Sequence, residues 1–274
     1  MKRSARQGAS RDGLGLDLDL EESDLIFIGD LCDRGTNSRE MYETVMRWQE
    51  QAPEMGSTVW FVLGNHEVMN SFGMRHYNTV EEYLSFDSSS RSAGERAHAA
   101  AFARGGWLYD WLVRQHAIVR LGPYLFAHGD LPMMLSDWSV EEIDERVLEA
   151  FRAGARAPRA KELPDALFAS DRSVLWCREA QVGRPQDYAR HLNAFLAKNG
   201  AAAWICGHTP GEDGSLHLLH DGRYLCIDTA MTFQRFGMGR TSALVIDAAG
   251  ANAAYFERND VRYAPLALAK TPPR

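Results

Sequence analysis

LIFIGDLCDRG, residues 25–35, is the stretch on which the fold turns. Leu25 to Ile28 form a short apolar run of the kind that makes a strand buried on both faces, and polar chemistry begins at its carboxyl end with Gly29-Asp30. Asn37 or Ser38 then opens a helix, because Met41, Val45 and Trp48 recur at i, i+4 and i+7. TVWFVL, residues 58–63, is the next strand, so strand, helix and strand read as one parallel α/β unit.

Before this unit, Leu14, Leu16, Leu18 and Leu20 alternate with Gly15, Asp17 and Asp19, as in a short edge strand or an acidic linker, and residues 1–22 are read as an N-terminal remnant or linker. Residues about 68–115 hold no clear strand, carry the polar SSSRS patch at 88–92 and end in an Ala-rich helical stretch near Trp111, so they are expected as a helical insertion beside the site. HAIVRL (116–121) and PYLFAH (123–128) flank Gly122-Pro123 as a hairpin. Ser139 and Glu142 form a capping box for a helix to about Ala153. A second helix, about 186–199, carries Tyr188, Leu192, Phe195 and Leu196 and stops at Gly200. AWICGH (203–208) is a strand, LHLLH (216–220) and RYLCID (223–228) pair across Asp221-Gly222, and SALVID (242–247) closes the strand set. The expected architecture is α/β: two mixed β-sheets packed as a sandwich with flanking helices, in one domain over residues 23–258, with 259–274 as a C-terminal tail.

Composition narrows the partners. A chain of 274 residues, 45% hydrophobic, is long enough to bury a full core. A formal net charge of −7 leaves no overall basic field, which argues against a nucleic-acid partner. No run approaches the roughly 18 apolar residues a membrane span needs, and MKRSARQGAS at the start has no hydrophobic segment behind its charge. No membrane partner and a cytoplasmic chain as written are therefore expected, with export left open should the true start lie upstream. Cys32, Cys177, Cys206 and Cys226 lie far apart without C-x-x-C spacing and read as reduced, core-filling thiols.

Four short signatures follow one another, each just after an expected strand: Gly29-Asp30-Leu31-Cys32-Asp33-Arg34-Gly35, Gly64-Asn65-His66-Glu67, His128-Gly129-Asp130 and Gly207-His208. Each is weak alone. Jointly they bring a carboxylate, an amide oxygen and two imidazoles to strand ends, a mixed oxygen and nitrogen donor set suited to Zn, Mn or Fe.

GDLCDRG, GNHE, AHGD and CGHTP, in this order, resemble the motifs of the phosphoprotein phosphatase family within the calcineurin-like metallophosphoesterases. GNHEVMNSFGMRHYNTVEEYLSF, with SVLWCRE and CGHTP, is similar to the branch called Shewanella-like phosphatases, and the resemblance covers roughly residues 23–245. It implies the calcineurin-like fold and a cofactor of two divalent or trivalent metal ions (Mn, Fe or Zn). Asp30 would bridge both ions, and Asn65, His128 and His208 would complete the ligands of the second. It further implies hydrolysis of phosphomonoesters by attack of metal-bound hydroxide, with His66 as the acid that protonates the leaving group and Asp33 orienting it. Arg34 and Arg178 would hold the phosphate oxygens, for which the planar guanidinium fork is suited. The implied partner is a phosphorylated protein (phospho-Ser/Thr or phospho-Tyr) or a small phosphomonoester.

Two departures stand out. The family's earlier motif, Gly-Asp-x-His-Gly on its first strand, has no counterpart, since no histidine precedes His66 and only Asp17 and Asp19 offer upstream carboxylates in a strand-like setting. The fold is therefore expected to lack its first strand, and the chain to bind only one of the two ions. The other departure is Asp130, where the family usually has glycine; its carboxylate could ligate the second metal, orient His128 or cap the following turn. A small-molecule or dinucleoside polyphosphate hydrolase, or a catalytically weak phosphate-binding chain, are the competing readings.

Overall fold

The computed structural model describes residues 20, 22–154, 165–182, 184–211, 213–232 and 239–273. The alternation Asp17 and Asp19 belong to lies outside these residues.

The apolar run at 25–28 forms β1 (Leu25–Phe27), which pairs in parallel with β2 (Val59–Phe61). Helix α1 (Ser38–Gln51) crosses between them. Side chains of β1 alternate as a strand requires: Leu25 and Phe27 pack on a helical core, Ile26 and Ile28 on a second core. They are half-buried rather than fully buried, because β1 is the outer member of a two-stranded sheet among the described residues. Asn37 precedes α1 without a side-chain cap bond; Ser38 Oγ instead donates to Glu82 Oε1 at 2.9 Å. The buried stripe of α1 runs through Tyr42 and Val45, with Met46 and Trp48 partly covered.

Past β2, Val62 bridges His116 in parallel and Leu63 N donates to His116 O at 2.8 Å, which leads the first unit into the next sheet. That sheet comprises β3 (Ile118–Leu121), β4 (Tyr124–Ala127), β5 (Ala203–Cys206), β6 (His217–Leu219) and β7 (Tyr224–Cys226), ordered β3-β4-β5-β7-β6. Both hairpins are antiparallel and the β4-β5-β7 pairings are parallel, so the sheet is mixed as expected. A third, antiparallel sheet joins β8 (Ser242–Asp247), β9 (Gly250–Glu257) and β10 (Asp260–Leu266).

Among the described residues three sheets thus stand where two were expected, and the segment from 259, read as a tail, supplies β10. Arg262 and Pro265 break its apolar alternation, which is tolerated because β10 is an edge strand whose inner neighbour β9 carries the packing.

The remaining helices are α2 (Asn65–Ser71), α3 (Val80–Phe86), α4 (Arg91–Phe102), α5 (Trp107–Leu112), α6 (Val140–Gly154), α7 (Asp165–Phe168), α8 (Glu179–Val182) and α9 (Pro185–Lys198). Ser139 Oγ accepts from Glu142 N at 3.1 Å while Glu142 Oε2 accepts from Ser139 N at 2.7 Å, closing the capping box before α6. One face of the mixed sheet, with Leu125, Trp204 and Cys206, packs on Phe151 of α6 and Leu192 and Phe195 of α9. The opposite face, with Val119, Phe126, Ile205 and Leu225, packs on Ala251, Ala253 and Tyr255 of β9. The layers are therefore helices, mixed sheet and antiparallel sheet, and every motif loop emerges at strand ends between them. No helix of the described residues is long and apolar enough to cross a membrane.

His98 of α4 is fully buried beside Tyr83, Phe86 and Phe102, with ring centroids 5.4, 4.7 and 4.7 Å away, and neither ring nitrogen makes a hydrogen bond. Burial, then the Arg75 charge, hold its pKa at about 3 instead of 6.5. The unfolded chain therefore takes up this proton first: stability is full above about pH 6.5 and is lost as pH falls from there toward 3. At pH 5 the loss reaches about 2 kcal/mol. His98→Leu should remove it, so the drop in Tm between pH 7 and pH 5 should be smaller than in the unsubstituted chain; an undiminished drop would assign the acid sensitivity to other groups.

Candidate active site

The loop after β1 is built from left-handed backbone. Gly29 has φ +85°, and the non-glycine residues Asp30, Asp33 and Arg34 have φ of 57°, 67° and 58°. Such values are costly for residues with a Cβ and concentrate where a surrounding structure enforces them. At Gly29 a Cβ would lie 2.5 Å from Gly64 N and 2.9 Å from His128 Nδ1, so backbone meets backbone between the first two motif loops. Glu67 stitches them together: its carboxylate accepts from Asp30 N and Leu31 N at 2.9 Å each, from Gly64 N at 3.0 Å and from Tyr42 Oη at 2.6 Å.

Strand ends β1, β4 and β5 meet next. His128 Nδ1 donates to Ile28 O at 2.7 Å, and Gly207 N donates to His128 O at 2.7 Å. The Ile28 bond fixes the His128 ring and turns Nε2 inward, as is usual for a ligand imidazole. Nε2 lies 2.9 Å from Asn65 Oδ1 and 3.3 Å from Asp30 Oδ2. Donor atoms of Asp30, His128 and His208 all lie within 4.8 Å of one another. His208 has φ 66°, its ring centroid is 5.1 Å from that of His128, and its Nε2 accepts from Arg178 Nε at 3.1 Å.

The electrostatics of this cluster favour a cation. Burial alone would lower the pKa of His128, but the Asp30 carboxylate and Ile28 carbonyl raise it to about 9. Burial, the His128 charge and Arg178 hold His208 down at about 3. Burial would raise Asp30, yet His128 and His66 together keep it well below the usual carboxylate range. Two oxygens thus converge on a nitrogen that keeps an extra proton between them, and a metal ion would satisfy the same set: one carboxylate, one amide oxygen and two imidazoles.

His66 stands beside this cluster in the first turn of α2. Its Nδ1 is hydrogen-bonded to Asp33 Oδ2, its Nε2 is 3.2 Å from Arg34 Nη1 and 3.8 Å from Asp30 Oδ2, and its backbone N donates to Asp30 Oδ1 at 3.1 Å. Burial works against the His66 proton, but the Asp33 bond and the Asp30 charge outweigh it and raise the pKa above 6.5. The other oxygen of Asp33 accepts from Asn70 Nδ2 at 3.2 Å and Asn78 Nδ2 at 2.5 Å. Tyr77 lies under the Arg34 guanidinium at 4.4 Å and beside the His66 ring at 5.1 Å.

Asp30, Asn65, His128 and His208 therefore sit in one cluster, with His66, Asp33, Arg34 and Arg178 around it. Asp130 does not join them: its carboxylate reaches Ala180 N and Tyr224 Oη. Sequence reasoning missed Asn70 and Asn78, which lack a motif, and the anchoring part played by Glu67 inside GNHE. It also missed Asp228, whose pKa is pushed up by burial and which lies close enough to His128, Asp30 and Arg178 to respond to their charges. Its position at the end of RYLCID, after β7, was the available signal.

Fold and site together present a candidate metal centre at the ends of parallel strands. The calcineurin-like phosphoesterase profile matches residues 16–212, and the chain belongs to that family, which typically binds a binuclear metal centre. It is 25% identical over 227 residues to Shewanella-like protein phosphatase 1 of Plasmodium berghei, covering 81% of this chain and 61% of that protein. It is 23% identical over 250 residues to Shewanella-like protein phosphatase 2 of Arabidopsis thaliana, covering 76% of this chain and 62% of that one. The chain thus spans about three fifths of the length of these relatives (61% and 62%). In fold it is similar to the cold-active protein-tyrosine phosphatase of a psychrophilic Shewanella species, with TM-score 0.71 at 16% identity over 89% of this chain and 70% of that one.

Replacing Glu67 by Ala leaves the N–H groups of Asp30, Leu31 and Gly64 without their acceptor, at about 1–3 kcal/mol each where water cannot replace it. Urea unfolding should show a loss of about 3 kcal/mol or more, against about 1 kcal/mol for Tyr42→Phe. Equal, small losses for both would remove Glu67 from this role.

Proposed function

We propose that the chain hydrolyses phosphomonoesters, and that its substrates are phosphorylated Ser, Thr or Tyr side chains of proteins. The observation that carries the reading is the adjacency of a histidine–carboxylate pair, His66 with Asp33, to a cluster of metal-ligand type, with Arg34 bordering the first and Arg178 the second. The relatives named as protein phosphatases support the substrate class.

In this reading Asp30, Asn65, His128 and His208 hold a Mn, Fe or Zn ion, which when bound neutralises phosphoryl charge and activates water. A second ion would need donors beyond this set, for which Asp17 and Asp19 are the sequence candidates. Arg34 and Arg178 bind the non-bridging oxygens, which suits the forked guanidinium. His66 gives the proton on Nε2 to the departing alkoxide or phenoxide. Asp33, held by Asn70 and Asn78, fixes the His66 ring and stabilises its charged form. The raised pKa of His66 keeps that proton available near neutral pH.

His66→Asn should lower kcat by about 100-fold or more for alkyl phosphates, and far less for aryl phosphates whose leaving groups need little protonation. Equal losses across leaving groups of very different pKa would refute the acid assignment. Asn65→Ala and His208→Ala should each weaken Mn or Zn binding, measured by calorimetry, by about tenfold or more. Undiminished affinity in both variants would show that the ion is held elsewhere.

A further inference from the structure

Asp130 is the residue for which neither the donor cluster nor the dyad has a use. It is fully buried, and its carboxylate is shared among three donors: Oδ2 accepts from Ala180 N at 2.8 Å, and Oδ1 from Tyr224 Oη at 2.6 Å and Cys206 Sγ at 3.5 Å. It therefore neither ligates with the cluster nor caps the turn that follows it in sequence. The bond to Ala180 falls at the opening of α8, two residues after Arg178.

The rest of the neighbourhood is a clasp on that same segment. Gly129 N donates to Val174 O at 2.6 Å, and Asp130 N donates to Cys177 O at 3.1 Å. A Cβ at Gly129 would lie 2.8 Å from Val174 O, so the approach depends on glycine there. In the reverse direction Glu179 Oε2 accepts from Met133 N at 2.6 Å. Bonds from residues 129 and 130 thus grip the chain at 174, 177 and 180, on both sides of Arg178, whose Nε points at His208.

A guanidinium on a long, rotamer-rich side chain binds an anion well only where its backbone root is fixed, because ordering the root during binding subtracts from the affinity. Of the contacts in the clasp, the backbone ones are independent of the side chain at 130. Two bonds lie beyond Arg178, at Glu179 and at Ala180, and of these the one to Ala180 N issues from the Asp130 carboxylate. Tyr224 Oη on β7 and Cys206 Sγ, which ends β5, steady the carboxylate from behind.

We infer that Asp130 is a positioning residue for Arg178: its carboxylate ties the opening of α8 to the end of β4 and thereby presents the guanidinium to a phosphoryl group. The inference rests on the reading of Arg178 as a phosphate-binding residue. Glycine, which the resembling family usually carries here, would leave the Ala180 N–H without this acceptor.

The test is calorimetric titration of the full chain, in saturating manganese, with inorganic phosphate as the probe. Arg178→Ala should weaken phosphate binding about tenfold or more, the usual worth of a charge-assisted bond to an anion. Asp130→Ala and Asp130→Gly should each weaken it about three- to tenfold, at a temperature where melting curves show the variants folded; should either fail to fold, the other carries the measurement. Asp130→Asn, whose amide oxygen can still accept from Ala180 N while its NH2 turns to Tyr224 Oη, should restore binding to within about twofold. In the double variants Asp130→Ala/Arg178→Ala and Asp130→Gly/Arg178→Ala, phosphate should bind no more weakly than in Arg178→Ala alone, because the two residues act through one contact.

Additive losses in the double variants, or unchanged affinity in the folded single variants at 130, would overturn the positioning role while leaving Arg178 intact. Unchanged affinity in Arg178→Ala would overturn both the phosphate-binding reading of Arg178 and the inference built on it.

Discussion

Glu67 is fully buried, and the geometry of the site hangs on the groups it accepts from. Its two oxygens take backbone N–H groups from Asp30, Leu31 and Gly64 and the hydroxyl of Tyr42. Burial, and then the Asp30 charge, raise its pKa, so the carboxylate is costly where it stands and is retained by these donors. The backbone donors belong to two loops that the chain order alone would not align, one after β1 and one after β2. A buried acceptor that must be satisfied has few arrangements available, and the arrangement found here sets Asp30 Oδ1 within 3.1 Å of the His66 backbone N.

Strain follows from the same constraint. Asp30, Asp33, Arg34 and His208 all adopt left-handed backbone, at roughly 1–2 kcal/mol each for residues with a Cβ. For the first three, the backbone N–H is held by a group from elsewhere in the chain: Asp30 N by Glu67, Asp33 N by Glu82 Oε1 at 2.9 Å, Arg34 N by Tyr77 O at 3.1 Å. Thr79 Oγ1 adds a bond to Gly35 O at 2.6 Å. Residues 77–82, at the start of the segment expected as an insertion, therefore act as a splint for the loop that carries Asp33 and Arg34. The helices of that segment are continuous with the site's support.

The residues that gather in the donor cluster were legible in the sequence because each stands in a short motif directly after an apolar run, and strand ends are where such loops must go. The two hairpins of the mixed sheet were legible too, being marked by Gly122-Pro123 and Asp221-Gly222. What escaped depends on partners distant in sequence. Among the described residues strand β10 pairs with β9 alone, and its own residues, with Arg262 and Pro265, carry little apolar periodicity. The half-burial of β1 reflects its outer place in the sheet, which a run of apolar residues does not encode. The partners of Asp130 are 50 and 94 residues away, so a carboxylate next to a ligand histidine could be read as ligand, orienter or cap with equal ease.

Two halves of the site are thus built by different means. The half after β1 and β2 carries the dyad and is locked by Glu67 and Glu82; the half after β4 and β5 carries the imidazoles and is locked by glycines. Gly129 lets residue 174 approach, and a Cβ at Gly207 would lie 2.8 Å from Ile28 Cδ1, where the two halves touch. Asp30 reaches both, through His66 N on one side and His128 Nε2 on the other, and Asn65 Oδ1 joins it on His128 Nε2. Because strand ends fix the donor cluster, what else can meet a bound group is left to the segments that border it. These are residues 77–82 beside His66 and residues 173–181 around Arg178, and each is tied down by a buried carboxylate from outside its own segment or of its own, Glu82 in the first and Asp130 in the second.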